Sequence, residues 1–372
     1  MSEPDVLVIG GGIVGAATAY ALASDGFVVE VLEAGCIAGG ATAAGMGHIV
    51  AMDDSEAQFA LTTYSRRLLA EVAEGLPPSC ELDVCGTLWI AEDEAQLDAV
   101  HGKAEWYRAR GVATEVLDGR ALAEAEPNLR APLAGALRVP DDAVVYPPAL
   151  AAWFLERAKA LGARVRTGEA VESVAAHAVT VGGTQRTAEH VVLAAGAAAT
   201  RLVPPLPIVP RKGHLVITDR YPGFCRHQLV ELGYLASAHT MTAASVAFNV
   251  QPRRTGQLLI GSSRELVGWD AAIHRDVVRR MLARAMAFVP ALGALTTIRT
   301  WTGFRPATSD KLPLIGEWED VPGLWIAAGH EGLGITTAIG TAMLLADLMR
   351  GRQPAIDPAP YSPARTLAHA EA

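Results

Sequence analysis

The first residues whose types and spacing could do chemistry are the glycines of Gly10-Gly11-Gly12-Ile13-Val14-Gly15, a G-x-G-x-x-G pattern. The pattern follows a short apolar run, residues 5–9, typical of a buried parallel strand, and it opens a segment with apolar residues at helical spacing. Gly10 would permit the tight turn, Gly12 would let the backbone approach a pyrophosphate, and Gly15 would let helix and strand pack closely. The N-terminus of that helix would offer free N–H groups and a positive dipole end to phosphates. The pattern therefore predicts a dinucleotide site.

Glu33 selects among the dinucleotides. It ends a second predicted strand at roughly the distance, about 20 residues beyond the glycines, where a carboxylate accepts hydrogen bonds from a ribose. Because a negative charge there repels a 2′-phosphate, FAD and NAD are favoured over NADP.

Three segments of small residues bear on the choice between a flavin and NAD. Residues 36–47 are dense in Gly and Ala, which lets backbone run close to a flat ring system, and Thr42 among them can donate to phosphate or flavin. The strand at 192–196 ends in small residues and fits a backbone passing the same pyrophosphate. Residues 329–336 open a C-terminal helix, whose N-terminus would stabilise negative charge on a reduced flavin near N1 and the C2 carbonyl. A flexible linker and an ordinary helix cap remain the alternatives for the first and third segments.

Arg305, in Gly303-Phe304-Arg305-Pro306, is the predicted substrate-binding residue. An amino-acid carboxylate presents two oxygens in a plane, and a guanidinium can donate to both, which a lysine cannot do. Pro306 favours an extended backbone at the arginine. The alternative for Arg305 is a structural salt bridge.

Three other polar residues are candidates for the site. His48 is predicted to face flavin and substrate in a catalytic role, with a packed or solvent-touching residue as the alternative. His330 lies in the turn before the C-terminal helix, where capping or packing is the alternative to a cofactor contact. Arg264 follows a predicted strand at 258–261, and for it a surface salt bridge is favoured over contact with a cavity.

Hydrophobic patterns place these motifs in an α/β chain. A βαβ unit opens it, alternating runs at 213–263 predict an antiparallel sheet, and a buried strand at 324–328 precedes the last helix. Helices are predicted over residues 57–74, 149–161, 269–288 and about 336–350, and strands at 164–166 and 190–193. Residues 201–210, with four prolines, form a predicted crossing between domains. Parallel segments at both ends therefore enclose a β-rich middle, which predicts one discontinuous domain with another inserted into it.

Composition sets the class of protein. The 372 residues are 51% hydrophobic and 19% charged, which excludes a disordered chain and predicts two globular domains. Lys plus Arg total 31 against 40 Asp plus Glu, a net charge of −9, without long basic runs, so nucleic acid is not an expected partner. Four cysteines without metal-ligand spacing predict no metal site and a reducing, cytoplasmic compartment. The acidic N-terminus and the charges within the most apolar run argue against a signal peptide and a transmembrane segment.

These segments together resemble the D-amino-acid oxidase superfamily of FAD-dependent oxidoreductases, which includes glycine oxidase and sarcosine oxidase. The resemblance runs over nearly the whole chain in family order and also rests on Pro313-Leu314-Ile315-Gly316. It implies FAD in a discontinuous Rossmann-like domain of the glutathione-reductase type, over residues 1–80, 144–210 and 307–372. It implies an inserted mixed or antiparallel β-sheet substrate domain over residues 81–143 and 211–306. Sarcosine oxidase attaches its flavin through a cysteine just ahead of the C-terminal motifs. No cysteine follows Cys225 in this chain, so the FAD is expected to be non-covalent.

The resemblance also implies which residues contact FAD, namely Gly10, Gly12, Ile13, Val14, Gly15, Glu33, Ala34, Thr42, Ala43, Gly45, Met46, Val171, Ala195, Gly196, His330, Gly332, Leu333, Gly334, Ile335 and Thr336. The arginine of its G-x-R-P stretch holds the substrate carboxylate, which agrees with Arg305. Phe248 and Asn249 stand where glycine oxidase has a substrate-facing tyrosine, so the substrate contacts are expected to differ.

Residues 45–55 resemble most the flavoprotein subunits of D-hydroxyproline dehydrogenase and the glycine-oxidising subunit of hydrogen cyanide synthase. The expected reaction is oxidation of a small amino acid or cyclic secondary amine, such as D-hydroxyproline, D-proline or glycine, to its imine by hydride transfer to flavin N5. Electrons would pass to oxygen or to partner subunits carrying an iron–sulfur centre. An NAD-dependent dehydrogenase and a non-catalytic flavin-binding scaffold subunit remain the alternatives.

Overall fold

The computed structural model describes residues 3–233 and 244–365 of the protein. Part of the predicted β-rich stretch, 234–243, and the end of the predicted FAD-binding domain, 366–372, lie outside the described residues. The helices are α1 (Ile13–Ser24), α2 (Ala41–Ala44), α3 (Glu56–Val72), α4 (Glu94–Arg108), α5 (Gly119–Ala125), α6 (Pro147–Ala160), α7 (Ala199–Leu202), α8 (Arg275–Phe288) and α9 (Gly334–Met349). The strands are β1 (Val6–Ile9), β2 (Val29–Glu33), β3 (His48–Ile49), β4 (Thr87–Ala91), β5 (Glu115–Asp118), β6 (Gly135–Val139), β7 (Ala143–Val144), β8 (Arg164–Thr167), β9 (Val171–Ala175), β10 (Ala178–Val181), β11 (Thr184–Thr187), β12 (His190–Leu193), β13 (Val209–Thr218), β14 (Gln228–Glu231), β15 (Ala244–Pro252), β16 (Leu258–Glu265), β17 (Thr297–Ala307), β18 (Leu314–Glu317) and β19 (Leu324–Ala328).

The first sheet carries the glycine motif. Its six strands lie in the order β18-β19-β12-β1-β2-β8, with β18 antiparallel to β19 and the other neighbours parallel. All four residues of β1 are apolar and buried, as expected of a parallel strand covered on both faces. Helices α1, α6 and α9 pack on one face, and the small sheet of β9, β10 and β11 packs on the other. The loop from β1 to α1 therefore lies at the carboxyl edge of the parallel strands, where such sheets bind ligands.

The second sheet presents Arg305 to that edge. Its eight strands lie in the order β17-β13-β16-β15-β14-β4-β6-β5, with β4 and β14 parallel and the other neighbours antiparallel. Strands β13 and β17 pair along nearly their whole length, and their register sets Arg211 opposite Arg305. Helix α8 covers part of the sheet, where the rings of Phe248 and Phe288 stack with centroids 4.3 Å apart. This packing buries Phe248. Because side chains alternate along a strand, the neighbouring Asn249 lies on the opposite face of the sheet.

The predicted α/β class is confirmed, because a parallel sheet and a mixed sheet are built from interleaved stretches of one chain. The predicted strands at 164–166, 190–193 and 324–328 are confirmed as β8, β12 and β19, and three predicted helices are confirmed as α3, α6 and α9 with slightly shifted ends. The proline-rich stretch leads from the first sheet to β13 of the second, as predicted. The residue bounds of the two domains stay a prediction.

The helix predicted from Trp269 is wrong in its first turns, because α8 begins at Arg275. The Lys212 ammonium donates to the Ala272 carbonyl at 3.1 Å, and the Asp270 carboxylate accepts from the Ala272 N–H at 2.9 Å. These contacts hold the backbone before α8 as a loop. They use the N–H and the carbonyl of Ala272, which a helix would need for its own hydrogen bonds.

Across the described ranges, no helix combines the length and the apolar character that a bilayer crossing requires. In the same part of the chain, His, Cys, Asp and Glu side chains form no group of three or more that could hold a metal ion.

Candidate active site

A cavity of about 510 Å³, here called the long cavity, extends from the β1–α1 loop to the second sheet. Eighteen of the predicted site residues line it: Gly10, Gly12, Ile13, Val14, Glu33, Ala34, Thr42, Gly45, Met46, His48, Val171, Ala195, Gly196, Arg305, His330, Gly332, Gly334 and Ile335. Of the described residues predicted for the site, Gly15, Ala43, Leu333 and Thr336 lie outside its wall. The structure thus brings together motifs from both ends of the chain.

The glycine motif is built as its spacing predicts. Gly10 has a φ of 109°, and a Cβ there would lie 2.7 Å from the Ala194 carbonyl oxygen. A Cβ at Gly15 would collide with the carbonyl oxygen of Gly10, so Gly15 lets α1 approach β1 although it is not in the cavity wall. The described atom nearest to a Cβ at Gly12 would be Thr42 Oγ1, at 3.3 Å. The absent side chain of Gly12 therefore leaves its backbone open to the cavity.

Two polar side chains order the backbone around the start of α1. The carboxylate of Glu33 accepts from the N–H of Gly11 at 2.7 Å and from the N–H of Gly35 at 2.8 Å. Thr42 Oγ1 accepts from the N–H of Ile13 at 3.0 Å, so this hydroxyl also satisfies a helix N–H, a role that the sequence did not indicate. The positive end of the α1 dipole borders the cavity and favours an anionic group there.

These features fit FAD. An open glycine backbone, a helix N-terminus and a carboxylate at a strand end are the parts that hold the pyrophosphate and ribose of a dinucleotide. At the other end of the cavity, His48 Nε2, Asn249 Oδ1 and Ser262 Oγ are buried and have no hydrogen-bond partner among the described residues. Buried polar atoms are normally satisfied, so a ligand is expected to supply these partners.

Arg305 lies at the end of the long cavity near the second sheet. Its Nη1 donates to the Ser263 carbonyl at 3.0 Å, and its guanidinium covers Gly213, where a Cβ would collide with it. A Cβ at Gly332 would lie 3.6 Å from Arg305 Nε. Two glycines therefore make room for the guanidinium, and no carboxylate of the described residues lies within ion-pair distance of it. This geometry favours the predicted ligand-binding role of Arg305 over a structural salt bridge, and that role stays a prediction.

Two further arginines and one carboxylate surround this end of the cavity. Glu331 Oε1 lies 3.6 Å from Arg211 Nη1 and 4.0 Å from Arg264 Nε. Burial would raise the pKa of Glu331, but the charges of Arg305, Arg264 and Arg211 outweigh it and hold that pKa below its ordinary value. Among the described residues, three guanidinium groups thus gather around the Glu331 carboxylate, and their charge favours an anionic substrate.

The expectation of a surface salt bridge at Arg264 is wrong. Its side chain is 3% exposed, because β16 lies inside the second sheet between β13 and β15. Sequence reasoning also missed Arg211 and Glu331. The available signals were a charged residue inside a glycine-rich turn, for Glu331, and strand alternation with Gly213, for Arg211.

A smaller cavity of about 60 Å³, here called the inner pocket, adjoins the long cavity, with which it shares His48, Asn249, Glu331 and Gly332. Its wall is rich in polar side chains, among them Asp54, Gln58, Gln228, Arg264 and Lys311. Lys311 Nζ lies 3.7 Å from a carboxylate oxygen of Asp54. The inner pocket can therefore hydrogen-bond a polar substituent of a molecule bound beside Arg305.

His48 borders both cavities. Its backbone pairs with Val144 in the β3–β7 ribbon, and its carbonyl accepts from Thr336 Oγ1 at 2.8 Å, so Thr336 positions the histidine. Burial, with a contribution from the Arg305 charge, lowers the pKa of His48 to about 4. The imidazole is therefore neutral at pH 7 and has a ring nitrogen, Nε2, available to a ligand.

His330 lies in the wall of the long cavity but is only 3% exposed. Its Nε2 is 3.0 Å from Thr341 Oγ1 on α9, and burial lowers the pKa of His330 to about 3. This geometry favours the packing alternative, with the ring fixing the turn that precedes α9.

We expect the stability of the protein to fall between pH 6.5 and pH 5 partly because of His330. Its folded pKa lies below its unfolded pKa of about 6.5, so the unfolded chain takes up the proton first as pH falls. Between pH 7 and pH 5 this group should cost about 2 kcal/mol. Urea unfolding at pH 7 and pH 5 measures it, and His330→Gln should show a smaller loss than the wild type. The exposed His101→Gln is the matched control, and equal losses in all three proteins would contradict the assignment.

The arrangement is that of a flavin-dependent oxidoreductase, with a dinucleotide fold under a mixed sheet. Residues 5–348 match the model of the FAD dependent oxidoreductase (DAO) family, and the chain belongs to that family. The predicted superfamily and the predicted cofactor, FAD, are confirmed.

Similar proteins support this membership. The chain is 31% identical to glycine oxidase of Geobacillus kaustophilus, over 98% of this chain and 97% of that protein. The crystal structure of glycine oxidase from the same species has a TM-score of 0.86 and 29% identity, covering 97% of this chain and 98% of that one. D-amino acid dehydrogenase of Cereibacter sphaeroides is 30% identical over 80% of this chain and 69% of that protein. The crystal structure of L-proline dehydrogenase from P. horikoshii shares the fold, with a TM-score of 0.89, 24% identity and coverage of 99% of both chains.

Proposed function

We propose that the protein oxidises a small α-amino acid or cyclic secondary amine to its imine. The observation that carries the proposal is the Arg305 guanidinium at the cavity end, between two glycines and without a carboxylate partner within ion-pair distance among the described residues. Such a group receives a carboxylate through two parallel hydrogen bonds. The names of similar proteins, glycine oxidase and D-amino acid dehydrogenase, support the same substrate class.

Held along Gly12, Glu33 and Thr42, FAD would supply an acceptor for the hydride of the substrate α-carbon. Arg305 holds the carboxylate, and this anchor directs the α-carbon toward the flavin rather than the solvent. The amine loses a proton to water or a nearby group before or during the reaction, so its nitrogen can form the double bond. The imine then hydrolyses to an oxo acid, or persists as a cyclic imine if the substrate is proline-like.

His48 is proposed to contact the substrate amine. A neutral imidazole can accept a hydrogen bond from an amine N–H through Nε2 without adding positive charge beside Arg305. Thr336, which holds the His48 carbonyl, positions this contact from the first turn of α9. The N-terminus of α9 is proposed to stabilise negative charge on the reduced flavin.

The inner pocket favours a substrate with a polar substituent, of which D-hydroxyproline is the proposed example. Gln58 Oε1 and Gln228 Oε1 in its wall are buried without a hydrogen-bond partner among the described residues. A hydroxyl on a five-membered ring can supply a donor to such oxygens. D-proline and glycine lack that hydroxyl, so they are expected to react more slowly than D-hydroxyproline.

Two further parts of the proposal concern the surroundings of the enzyme. Electrons are proposed to leave the reduced flavin to oxygen or to partner subunits carrying an iron–sulfur centre, and the protein is proposed to act in the cytoplasm without a nucleic-acid partner. The support is the resemblance of residues 45–55 to flavoprotein subunits of dehydrogenases and the scarcity of cysteines.

Anaerobic mixing tests the function. The yellow holoprotein is mixed with glycine, sarcosine, D-alanine, both proline isomers and both isomers of 4-hydroxyproline, and the loss of absorbance near the flavin band is followed. We expect bleaching, fastest with a hydroxylated cyclic amino acid. A scaffold subunit would stay yellow with every compound, and an NAD-dependent dehydrogenase would be purified colourless; either result contradicts the proposal.

A further inference from the structure

Strands β13 and β16 carry a second group of polar residues on the face of the sheet opposite Arg211 and Arg264. It consists of Lys212, His214, Ser263 and Glu265, none more than 4% exposed, and we call it the brace. Arg211, Gly213 and Leu215 alternate with Lys212 and His214 along β13, just as Ser262 and Arg264 alternate with Ser263 and Glu265 along β16. One face of the sheet therefore serves the cavities, and the other buries four polar side chains that the proposed reaction does not use.

Hydrogen bonds fix the state of the histidine in the brace. His214 Nε2 accepts from the backbone N–H of His274 at 3.0 Å, so this nitrogen carries no proton. In the neutral ring the proton is then on Nδ1, which lies 3.0 Å from Ser263 Oγ and 3.4 Å from Glu265 Oε2. Ser263 Oγ also accepts from the backbone N–H of His214 at 2.9 Å. The His214 ring and the Ser263 hydroxyl therefore fix the register of β13 against β16.

Ion pairs anchor the other side of the brace. Glu265 Oε1 is 2.7 Å from His274 Nδ1, and the Asp270 carboxylate is 2.7 Å from His274 Nε2. Lys212 Nζ donates to the same Asp270 carboxylate at 3.1 Å. Two carboxylates thus face the Lys212 ammonium and the His274 ring, and Lys212 Nζ also lies 3.1 Å from His274 Nε2. Lys212, His214, Ser263 and Glu265 are buried, and a buried polar network tolerates little movement of its members. Asp270 and His274, whose side chains are 41% and 35% exposed, close this network at the protein surface.

The brace contacts the proposed substrate anchor through one peptide group. The carbonyl of Ser263, whose side chain belongs to the brace, accepts the hydrogen bond from Arg305 Nη1 at 3.0 Å. We infer that the brace positions the Arg305 guanidinium, and that Ser263 and Glu265 are positioning residues for binding of the substrate carboxylate. This inference rests on the proposed function, in which Arg305 holds that carboxylate.

Ligand binding to the holoprotein tests the inference without turnover. The probes are pyrrole-2-carboxylate and pyrrole-2-carboxamide, which share a ring and differ in charge, and their dissociation constants are read from the perturbed flavin spectrum. Glu265→Gln should weaken carboxylate binding about tenfold, since a shift of about 1 Å in an anchor costs up to 100-fold. Binding of the carboxamide should change by less than about twofold, because the amide gains little from a guanidinium.

Two other variants keep the test decisive. Ser263→Ala removes the hydroxyl but keeps the carbonyl that Arg305 contacts, and it should show the same selective loss if Glu265→Gln fails to fold. Glu115→Gln makes the same chemical change on β5, at the far edge of the same sheet, where the exposed Glu115 pairs with Arg138 at 3.2 Å. It should leave the dissociation constants of both probes unchanged.

A double-mutant cycle shows whether the brace acts through Arg305. In an Arg305→Met background, Glu265→Gln should cause no further loss of carboxylate binding. Equal losses for carboxylate and carboxamide, or a full loss that persists in the Arg305→Met background, would overturn the inference. The proposed function fails separately: if no amino acid bleaches the flavin, the function is wrong, whereas bleaching with no selective effect of the brace variants refutes the inference alone.

Discussion

Arg305→Met should lower kcat/KM for the best amino-acid substrate about 100-fold, mostly through KM. A charge-assisted pair between a guanidinium and a carboxylate contributes about 3 kcal/mol, and each 1.4 kcal/mol corresponds to a factor of about ten. Arg305→Lys keeps the charge but loses the planar pair of donors, so about a tenfold loss is expected. Anaerobic stopped-flow reduction of the flavin, over a range of substrate concentrations, measures both.

The matching substrate control is the carboxamide of the same amino acid, which has the amine and the α C–H but no carboxylate. Its kcat/KM should change little in Arg305→Met. The matched variant is Arg299→Met, because Arg299 lies on the same strand, β17, and is exposed. Equal losses for the acid and the amide would remove the role assigned to Arg305.

Gly12→Ala should weaken FAD binding by a factor of about 10 to 100 while the apoprotein keeps its stability. The added methyl group meets Thr42 Oγ1 at 3.3 Å and otherwise enters the space where the proposed pyrophosphate lies. Overpacking of this kind costs about 1–3 kcal/mol, here against the cofactor rather than against the fold. Titration of apoprotein with FAD, followed by flavin fluorescence, gives the dissociation constant, and urea unfolding of the apoprotein gives its stability.

Gly15→Ala is the informative contrast. Its methyl group would collide with the Gly10 carbonyl oxygen inside the α1–β1 packing, so the apoprotein itself should lose stability. Gly102→Ala, in α4 with open space around the added methyl group, should leave FAD binding unchanged and raise the stability of the apoprotein by up to about 1 kcal/mol, because alanine favours a helix. If Gly12→Ala binds FAD as tightly as the wild type, the pyrophosphate does not lie at Gly12.

Sequence reasoning predicted those parts of the site whose residues lie in short, continuous segments of the chain. The glycine motif could be interpreted from sequence because β1, the turn and α1 follow one another, and each glycine has a local steric reason. Arg305 was predicted to bind a carboxylate because its planar guanidinium can donate two parallel hydrogen bonds and Pro306 favours an extended backbone at this position.

The parts that sequence reasoning missed depend on strand register. Nothing near Arg211 in the sequence indicates that β17 will set it opposite Arg305, or that β16 will bring Arg264 to the same carboxylate, Glu331. Burial of Arg264 likewise follows from the position of β16 inside an eight-stranded sheet. The start of α8 was misplaced because Lys212, on a distant strand, binds the loop before it.

The strand order of the first sheet has a consequence for biosynthesis. β1 is made first, yet β19 completes its sheet more than 300 residues later and leads into the turn that forms the opposite wall of the long cavity. A ribosome-bound chain that stops short of that turn has a phosphate-binding loop without the surface that would cover the flavin. Cofactor capture must therefore wait until translation has passed residue 330, and until then the uncovered edge of β12 is open to intermolecular pairing.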